Sequence, residues 1–443
     1  MKVYLDSIGC RLNQSEIEAY ARQFRMDGHI LVATPQEADL VVVNTCAVTQ
    51  SAVADSRQKI RQVHRAIDQR TSEPLAESPS QTQIFVTGCW STLNPAEAAA
   101  LPGVSGVIPN AQKDQLVADV LHKPAEFFEQ EFIERQPIPG LRLRTRAFIK
   151  VQDGCDNRCT FCVTTIARGA GRSRSIPAVL ADVQAALAGG AQEIVITGVH
   201  LGFWGMDFNP PSNLKALVRA ILEETPAPRL RLSSLEPWDL DAEFFSLWQE
   251  RNFKRRLCRH LHLPLQSGSA ATLRRMARKT TPESFEALVT TARAAIPDVA
   301  VTTDIIVGFP GESETEFAES LAFVERMTFA GGHVFTYSAR PGTAAARMPG
   351  QVVHGLRKVR NTQMQAVLER SAVDFRQRFV GQKLDVLWEN AASLGPQGWT
   401  LQGLTDNYLK VAALASQKLW NQVTPVLLES VHAQGLYGRV HLL

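Results

Sequence analysis

The chain has 443 residues, of which 45% are hydrophobic and 21% charged, and a formal net charge of +3. This is the profile of an ordinary globular protein of roughly three domains at ~150 residues each, and the near-balanced charge means a polyanionic partner would have to be met by local patches. No apolar stretch approaches the ~20 residues of a membrane span. The N-terminus, MKVYLDSIGC, runs into a strand-like segment without an apolar signal core, and seven cysteines in such a chain point to a reducing compartment and to metal rather than disulfides. The expectation is a cytoplasmic protein with no membrane attachment.

Residues 1–125 alternate β and α patterns, which predicts a parallel sheet covered by helices. Strands are expected at Lys2–Ile8, Ile30–Ala33, Leu40–Asn44, Ile84–Thr87 and Val104–Ile108, and helices at Ser15–Met26, Val53–Arg65, Pro95–Leu101 and Gln112–Leu121. Thr71 to Thr82 has loop composition, and an acidic stretch from Glu126 to Glu134, ending at Pro137 and Pro139-Gly140, marks a domain boundary.

The segment 140–378 reads as a second domain. Six strands are expected, at Arg146–Gln152, Glu193–Thr197, Arg229–Leu235, His260–Gln266, Val299–Val307 and His333–Ser338, with helices between them. Six successive βα units predict a partial, open (βα)6 barrel whose strand-end loops share one rim, the face where barrel enzymes do chemistry. A long helix from about His354 to Phe379 closes the domain.

From 379 to 443 the texture changes to short alternating runs at Leu384–Trp388, Trp399–Gly403, Leu409–Leu414, Val426–Ser430 and Gly438–Leu442. Five short strands predict a small β-barrel, a common holder of single-stranded nucleic acid.

The cysteines carry the chemistry. Cys155, Cys159 and Cys162 lie in DGCDNRCTFC, directly after the first barrel strand. The spacing C-x3-C-x2-C lets three thiolates reach three corners of a 4Fe–4S cube, which normally takes four cysteines; the next cysteine is Cys258. The iron left without a thiolate can bind a small molecule. A zinc knuckle would want a fourth Cys or His, and burial as apolar side chains suits charged and polar neighbours poorly. Cys10, Cys46 and Cys89 each fall just past the end of an expected strand, in IGC, NTC and TGC. Open α/β sheets bind ligands outside those ends, so the three could converge on a second cluster; they could equally be separate small core residues.

DGCDNRCTFC resembles the signature of the radical S-adenosylmethionine (SAM) enzymes. Together with GCRLNQSE, NTCAVT and TGC, then RSRS, ITGVHLG, HLPLQSGS, DIIVGFPGE and YSARPGT, it resembles the methylthiotransferases of that superfamily along the whole chain. The resemblance implies an N-terminal α/β domain, a radical-SAM barrel and a C-terminal TRAM-like β-barrel. It implies two 4Fe–4S clusters, one on Cys155, Cys159 and Cys162 and an auxiliary one on Cys10, Cys46 and Cys89. It also implies two uses of SAM: as methyl donor to sulfur at the auxiliary site, and as source of a 5′-deoxyadenosyl radical that takes hydrogen from adenine carbon 2.

NTCAVTQSAVADSRQ, TGVHLG, RLSSLEP and LCRHLHLPLQSGS are most similar to the branch that converts threonylcarbamoyladenosine beside the tRNA anticodon to its 2-methylthio form. The alternatives are the same chemistry on isopentenyladenosine tRNA or on an aspartate of a ribosomal protein, and a non-catalytic iron–sulfur RNA-binding protein. GLTDNYLKV resembles the TRAM signature, which several branches share. The electron donor is unidentified.

Other positions are candidates by place alone. Gly198, after Thr197, ends the second barrel strand, Glu236 follows the third, Gln266 the fourth, and Asp304 lies in the fifth; these could hold SAM or stabilise strand ends. His200, His260 and His262 suit strand-end packing or hydrogen bonding, and Cys258 a structural thiol. Three basic groups could meet phosphates or be solvated faces: Arg142, Arg144 and Arg146; Lys254, Arg255, Arg256 and Arg259; and Arg274, Arg275, Arg278 and Lys279. Trp399, Tyr408 and Trp420 could stack bases or pack the small barrel. Two stretches depart from the pattern: Val163-Thr164-Thr165-Ile166 stands where Ile-Ile-Pro-Tyr is frequent, and Trp90-Ser91-Thr92 where Ala-Gln follows the cysteine. Both flank expected clusters.

Overall fold

A computed structural model describes residues 1–71, 82–128, 134–140, 145–396 and 398–441. The Thr71–Thr82 insertion, the end of the acidic stretch, Arg142, Arg144 and Leu442 fall wholly or largely outside them.

The N-terminal sheet has five parallel strands, Ile30–Leu31, Lys2–Ser7, Leu40–Thr45, Gln83–Gly88 and Val104–Ile108, in that spatial order. Its central strand, LVVVNT, is buried along its whole length, as expected of a strand covered on both faces. Leu40 and Val42 pack with Tyr20 and Phe24 on one side, and Val41 and Val43 with Ile60 and Trp90 on the other. The first helix starts at Arg11, so that Cys10 is its N-cap residue; the expected start at Ser15 was one turn late. The second helix runs Gln50–Thr71, an unexpected short helix covers Cys89–Leu93, and the expected helix at Gln112–Leu121 splits into a 3₁₀ turn and Leu116–Leu121.

The middle of the chain forms two three-stranded parallel sheets, Arg146–Lys150 with Glu193–Thr197 and Leu230–Leu232, and His260–His262 with Ala300–Val307 and Gly331–Thr336. Bridges Leu230–Leu257 and Ser234–His262 join them into one six-strand wall whose outer strands do not pair with each other. This is an open (βα)6 barrel. The fourth strand stops at His262, four residues short of expectation, because Pro264 has no N–H for the ladder. Gln152–Asp153 leaves the first strand to pair with Arg172–Ser173.

The C-terminal strands, Lys383–Gly395, Gly398–Thr405, Lys410–Ala415, Val423–His432 and Gly435–Val440, close into a barrel. The first is longer than the sequence suggested because bulges at Trp388/Asn390 and Ala391/Ser393 interrupt its alternation while bending it into closure. The Thr405–Tyr408 loop docks against the N-terminal ends of the central strands. Arg231 donates to the Thr405 and Asp406 carbonyls at 3.0 Å, Arg229 to those of Leu404 and Asp385, and Arg259 holds Asp406 at 2.6 Å. Among the described residues no helix is long and apolar enough to cross a membrane.

Candidate functional site

The cysteine loop of the barrel is braced by the other rim loops. Thr160 donates its backbone N–H to Met276 and its hydroxyl to Arg275, and accepts from the Ala345 N–H; Phe161 meets Phe309 edge-on. Gly154, immediately before Cys155, is left-handed at φ +72°, and a Cβ there would fall 1.9 Å from the Ala170 carbonyl oxygen. Glycine is what allows the loop to turn so closely. The thiols are half-buried. Cys155 accepts from the Asn157 N–H at 3.4 Å and Cys162 from that of Thr164 at 3.4 Å. The Arg278 guanidinium reaches Cys159 at 3.9 Å while paired to Glu236 at 2.6 and 3.2 Å. Burial pushes the Cys159 thiol up, and Arg278 opposes it.

The second set shares one edge of the sheet because its strands are neighbours: those ending before Cys10, Cys46 and Cys89 lie side by side. Gly9 is left-handed at φ +97°, and a Cβ on it would lie 2.4 Å from Cys46 Sγ, so the first turn passes directly over the second thiol. Burial lifts the Cys10 thiol to about 11, against the pull of Arg168 and Asn13. Cys89 accepts from Arg168 at 3.2 Å and from Asn110 at 3.6 Å.

Behind these thiols is a buried charge network that sequence reasoning missed. Arg168, 4% exposed, donates to Asp153 at 2.8 Å, Glu16 at 3.2 Å and Asn13 at 3.1 Å. Lys113 meets Glu16 at 2.5 Å and Asp153 at 2.7 Å, and Lys150 meets Asp114 at 2.6 Å. Burial works to raise the Glu16 carboxyl, but Arg168, Lys113 and Lys150 outweigh it and hold it at about 2. The one available signal was Asn13 and Glu16 sharing the buried face of the first helix with Tyr20, polar residues where an apolar stripe should continue.

A cavity of about 460 Å³ lies between Cys10 and Arg11 on one side and Gly198, Ser233, His262 and Asp304 of the barrel wall on the other, with Tyr408 among its lining. Of the four candidate SAM contacts, Gly198 and Asp304 line this space. Glu236 stands with Arg278 beside Cys159, and Gln266, left-handed at φ +73°, exchanges backbone hydrogen bonds with Asp304 and Ile306. His200 bonds Asp239 at 2.6 Å; although burial opposes it, Asp239 and Cys155 raise it to about 9. His260 stacks on Tyr408 at 4.1 Å and bonds Thr302, which also meets His262. Cys258 is buried, its thiol pushed up to about 12, as suits a structural role.

Several basic residues are engaged with carboxylates or carbonyls of the protein itself, which weighs against the phosphate reading for them. Arg146 pairs with Glu389, Arg256 caps the Leu222, Thr225 and Ala227 carbonyls, Arg259 holds Asp406, Arg275 pairs with Glu316, and Arg278 is buried. Lys254, Arg255, Arg274 and Lys279 remain exposed. Tyr408 is a packing residue against His260; Trp399 packs on the small barrel's core, and Trp420 is half-buried.

The donor sets fit iron–sulfur ligation. All seven cysteines are free thiols, six fall into two threes, and each three has an arginine at hand to balance thiolate charge. Among the described residues no three His, Cys, Asp or Glu side chains are gathered as ligands of a single metal ion.

Residues 149–324 match the Radical SAM superfamily and residues 2–108 the Uncharacterized protein family UPF0004. The chain is 33% identical to the threonylcarbamoyladenosine tRNA methylthiotransferase MtaB of Bacillus subtilis, over 96% of this chain and 93% of that one. Its identity to the protein of the same name from Thermotoga maritima is 35%, over 92% and 90%. A tRNA-2-methylthio-N(6)-dimethylallyladenosine synthase from Acidothermus cellulolyticus is 32% identical, over 86% and 76%. Among solved structures, the radical SAM methyltransferase TsrM of Kitasatospora setae superposes with a TM-score of 0.58 over 78% of this chain and 75% of that one, at 15% identity, a likeness of fold alone. With identities of 33% and 35% over nine-tenths or more of both chains, this protein belongs to the radical-SAM methylthiotransferase family.

Proposed function

We propose that this chain inserts sulfur and transfers a methyl group to make the 2-methylthio form of threonylcarbamoyladenosine in tRNA, using one 4Fe–4S cluster on Cys155, Cys159 and Cys162 and another on Cys10, Cys46 and Cys89. The observation that carries the reading is the chamber between the domains: Cys10 of the N-terminal set lines the same cavity as Gly198 and Asp304 on the barrel wall. The names of the Bacillus and Thermotoga relatives support the nucleoside assignment.

When bound, the barrel cluster would supply an electron and an open iron for SAM, and the auxiliary cluster an iron to carry sulfur. The chain's own residues orient and enclose. Among the described residues the second oxygen of Asp304, the Ser233 hydroxyl and His260 Nδ1 have no hydrogen-bond partner; Ser233 and Asp304 face the cavity, where a nucleoside or SAM would satisfy them. Tyr408, stacked on His260 and held by Arg11 at 3.0 Å, closes the chamber on the side of the small barrel, helping to keep water from a radical. Arg278 fixes Glu236 and sits beside Cys159, a neutralising partner for a thiolate-bound group. The protein works in the cytoplasm with tRNA, SAM and an electron donor yet to be identified.

Two triple variants test the assignment. Alanine at Cys155, Cys159 and Cys162 is expected to abolish SAM cleavage; alanine at Cys10, Cys46 and Cys89 is expected to abolish methylthiolation while SAM cleavage persists at least in part. Normal product from the second variant would remove the auxiliary site from the reaction.

A further inference from the structure

We propose that Arg168 is a positioning residue for the N-terminal thiol set: supplied by the barrel, it holds Cys89 and balances the charge of a cluster bound there. This rests on the reading that Cys10, Cys46 and Cys89 carry the auxiliary cluster.

The helix Thr164–Arg168 begins two residues after Cys162 and delivers its last side chain into the N-terminal domain. The guanidinium is almost fully buried and every one of its nitrogens is engaged. Nε donates to Cys89 Sγ at 3.2 Å. One terminal nitrogen donates to Asp153 and Glu16, the other to the Asn13 side-chain oxygen, and that oxygen also accepts from Cys10 Sγ at 3.5 Å. Arg168 is thus bonded to one thiol directly and to a second through Asn13. Asn110 ties the assembly together, donating to the Ala167 carbonyl at 2.8 Å and to Cys89 at 3.6 Å. A planar fork can satisfy several fixed acceptors at once where an ammonium cannot.

The local charges point the same way. Lys113 meets Glu16 and Asp153, and Lys150 meets Asp114 at 2.6 Å as well as Asp153, so Arg168 is the cation of this network that reaches a thiol. A doubly positive 4Fe–4S core held by three thiolates carries one net negative charge, and Arg168 would stand against it; a buried charge without such a partner is costly. Since a neighbouring cation favours the more negative, reduced form, Arg168 should also hold the auxiliary cluster's potential up.

The test uses the full chain with Cys155, Cys159 and Cys162 replaced by Ala, so that only the N-terminal set can load. After anaerobic reconstitution, iron content and the reduced fraction at a fixed solution potential are measured for Arg168, Arg168→Lys and Arg168→Gln, with folding checked by circular dichroism. Arg168→Gln is expected to lower the ratio of reduced to oxidised cluster about tenfold, or 59 mV for one electron. Arg168→Lys is expected to recover most of that shift while retaining less iron through desalting, because it keeps the charge and loses the fork. If the glutamine and lysine variants match the parent in both readouts, or shift equally, the inference is wrong. If Arg168→Gln does not fold, the lysine variant decides: native iron retention would overturn the positioning role. If the parent itself binds no iron, the auxiliary-cluster reading fails, and the inference with it, before any change at Arg168 is made.

Discussion

Replacing Arg231 by Met should undock the C-terminal barrel. Arg231 and Glu193 are both fully buried, paired at 2.7 and 2.9 Å, and the same guanidinium donates to the Thr405 and Asp406 carbonyls and lies 5.1 Å from the Tyr408 ring. Breaking a buried pair by removing one partner costs about 3–5 kcal/mol, because a charge is stranded. The nearest remaining cation, Arg146 Nη1, is 3.9 Å from Glu193. Two carbonyls each losing a donor add about 1 kcal/mol apiece, although Thr405 keeps the Tyr408 N–H, so the total is about 5–7 kcal/mol, comparable to the whole stability of a small domain. Urea unfolding gives the loss, and limited proteolysis between the central and C-terminal barrels shows where it falls. Because Tyr408 lines the cavity, KM for tRNA should rise as well. The double variant Arg231→Met/Glu193→Gln removes the stranded charge and should recover more than half the loss. A single variant within about 1 kcal/mol of the parent, or a double variant no better than the single, would refute the reasoning.

Three further outcomes are expected. Glu16 is held at about 2 in the folded protein against an ordinary 4.5, so its contribution is complete above pH ~4.5 and is lost as pH falls toward ~2. This loss, on the order of 3 kcal/mol, should vanish from the acid-unfolding curve of Glu16→Gln; an unchanged curve would count against the network. Gly154→Ala brings a Cβ within 1.9 Å of the Ala170 oxygen at φ +72°, so iron at the barrel site and SAM cleavage should drop together, while full loading would show that the turn is not needed. Charge reversal at the exposed Lys254, Arg255, Arg274 and Lys279 should weaken tRNA binding and flatten its salt dependence, the logarithmic slope falling by about 0.7–0.9 for each phosphate no longer neutralised; an unchanged slope would assign them to a solvated face.

What the sequence made legible was local. The three barrel cysteines are close in the chain, and the turn after each strand could be read from Gly, Pro and Ser, so the shared rim followed from topology. The N-terminal thiols could be placed at strand ends, but that their strands are adjacent follows from sheet order, which hydrophobic periodicity does not encode. Arg168 and Glu16 are 152 residues apart, and no spacing rule connects a helix-end arginine to a glutamate in another domain. The basic clusters misled for the same reason. Arg256 and Arg278 look like neighbours of Arg255 and Lys279, yet each turns inward to carbonyls or a carboxylate, and only packing distinguishes the two fates.

The most direct measurement is nucleoside mass spectrometry after an anaerobic reaction of the reconstituted protein with SAM, a reductant and tRNA carrying threonylcarbamoyladenosine, beside a parallel reaction on tRNA carrying isopentenyladenosine. The account predicts a methylthio mass gain on threonylcarbamoyladenosine alone. 5′-Deoxyadenosine without that gain, or a gain on isopentenyladenosine instead, would contradict the substrate assignment, and no SAM cleavage by fully loaded, reduced protein would contradict the chemistry itself.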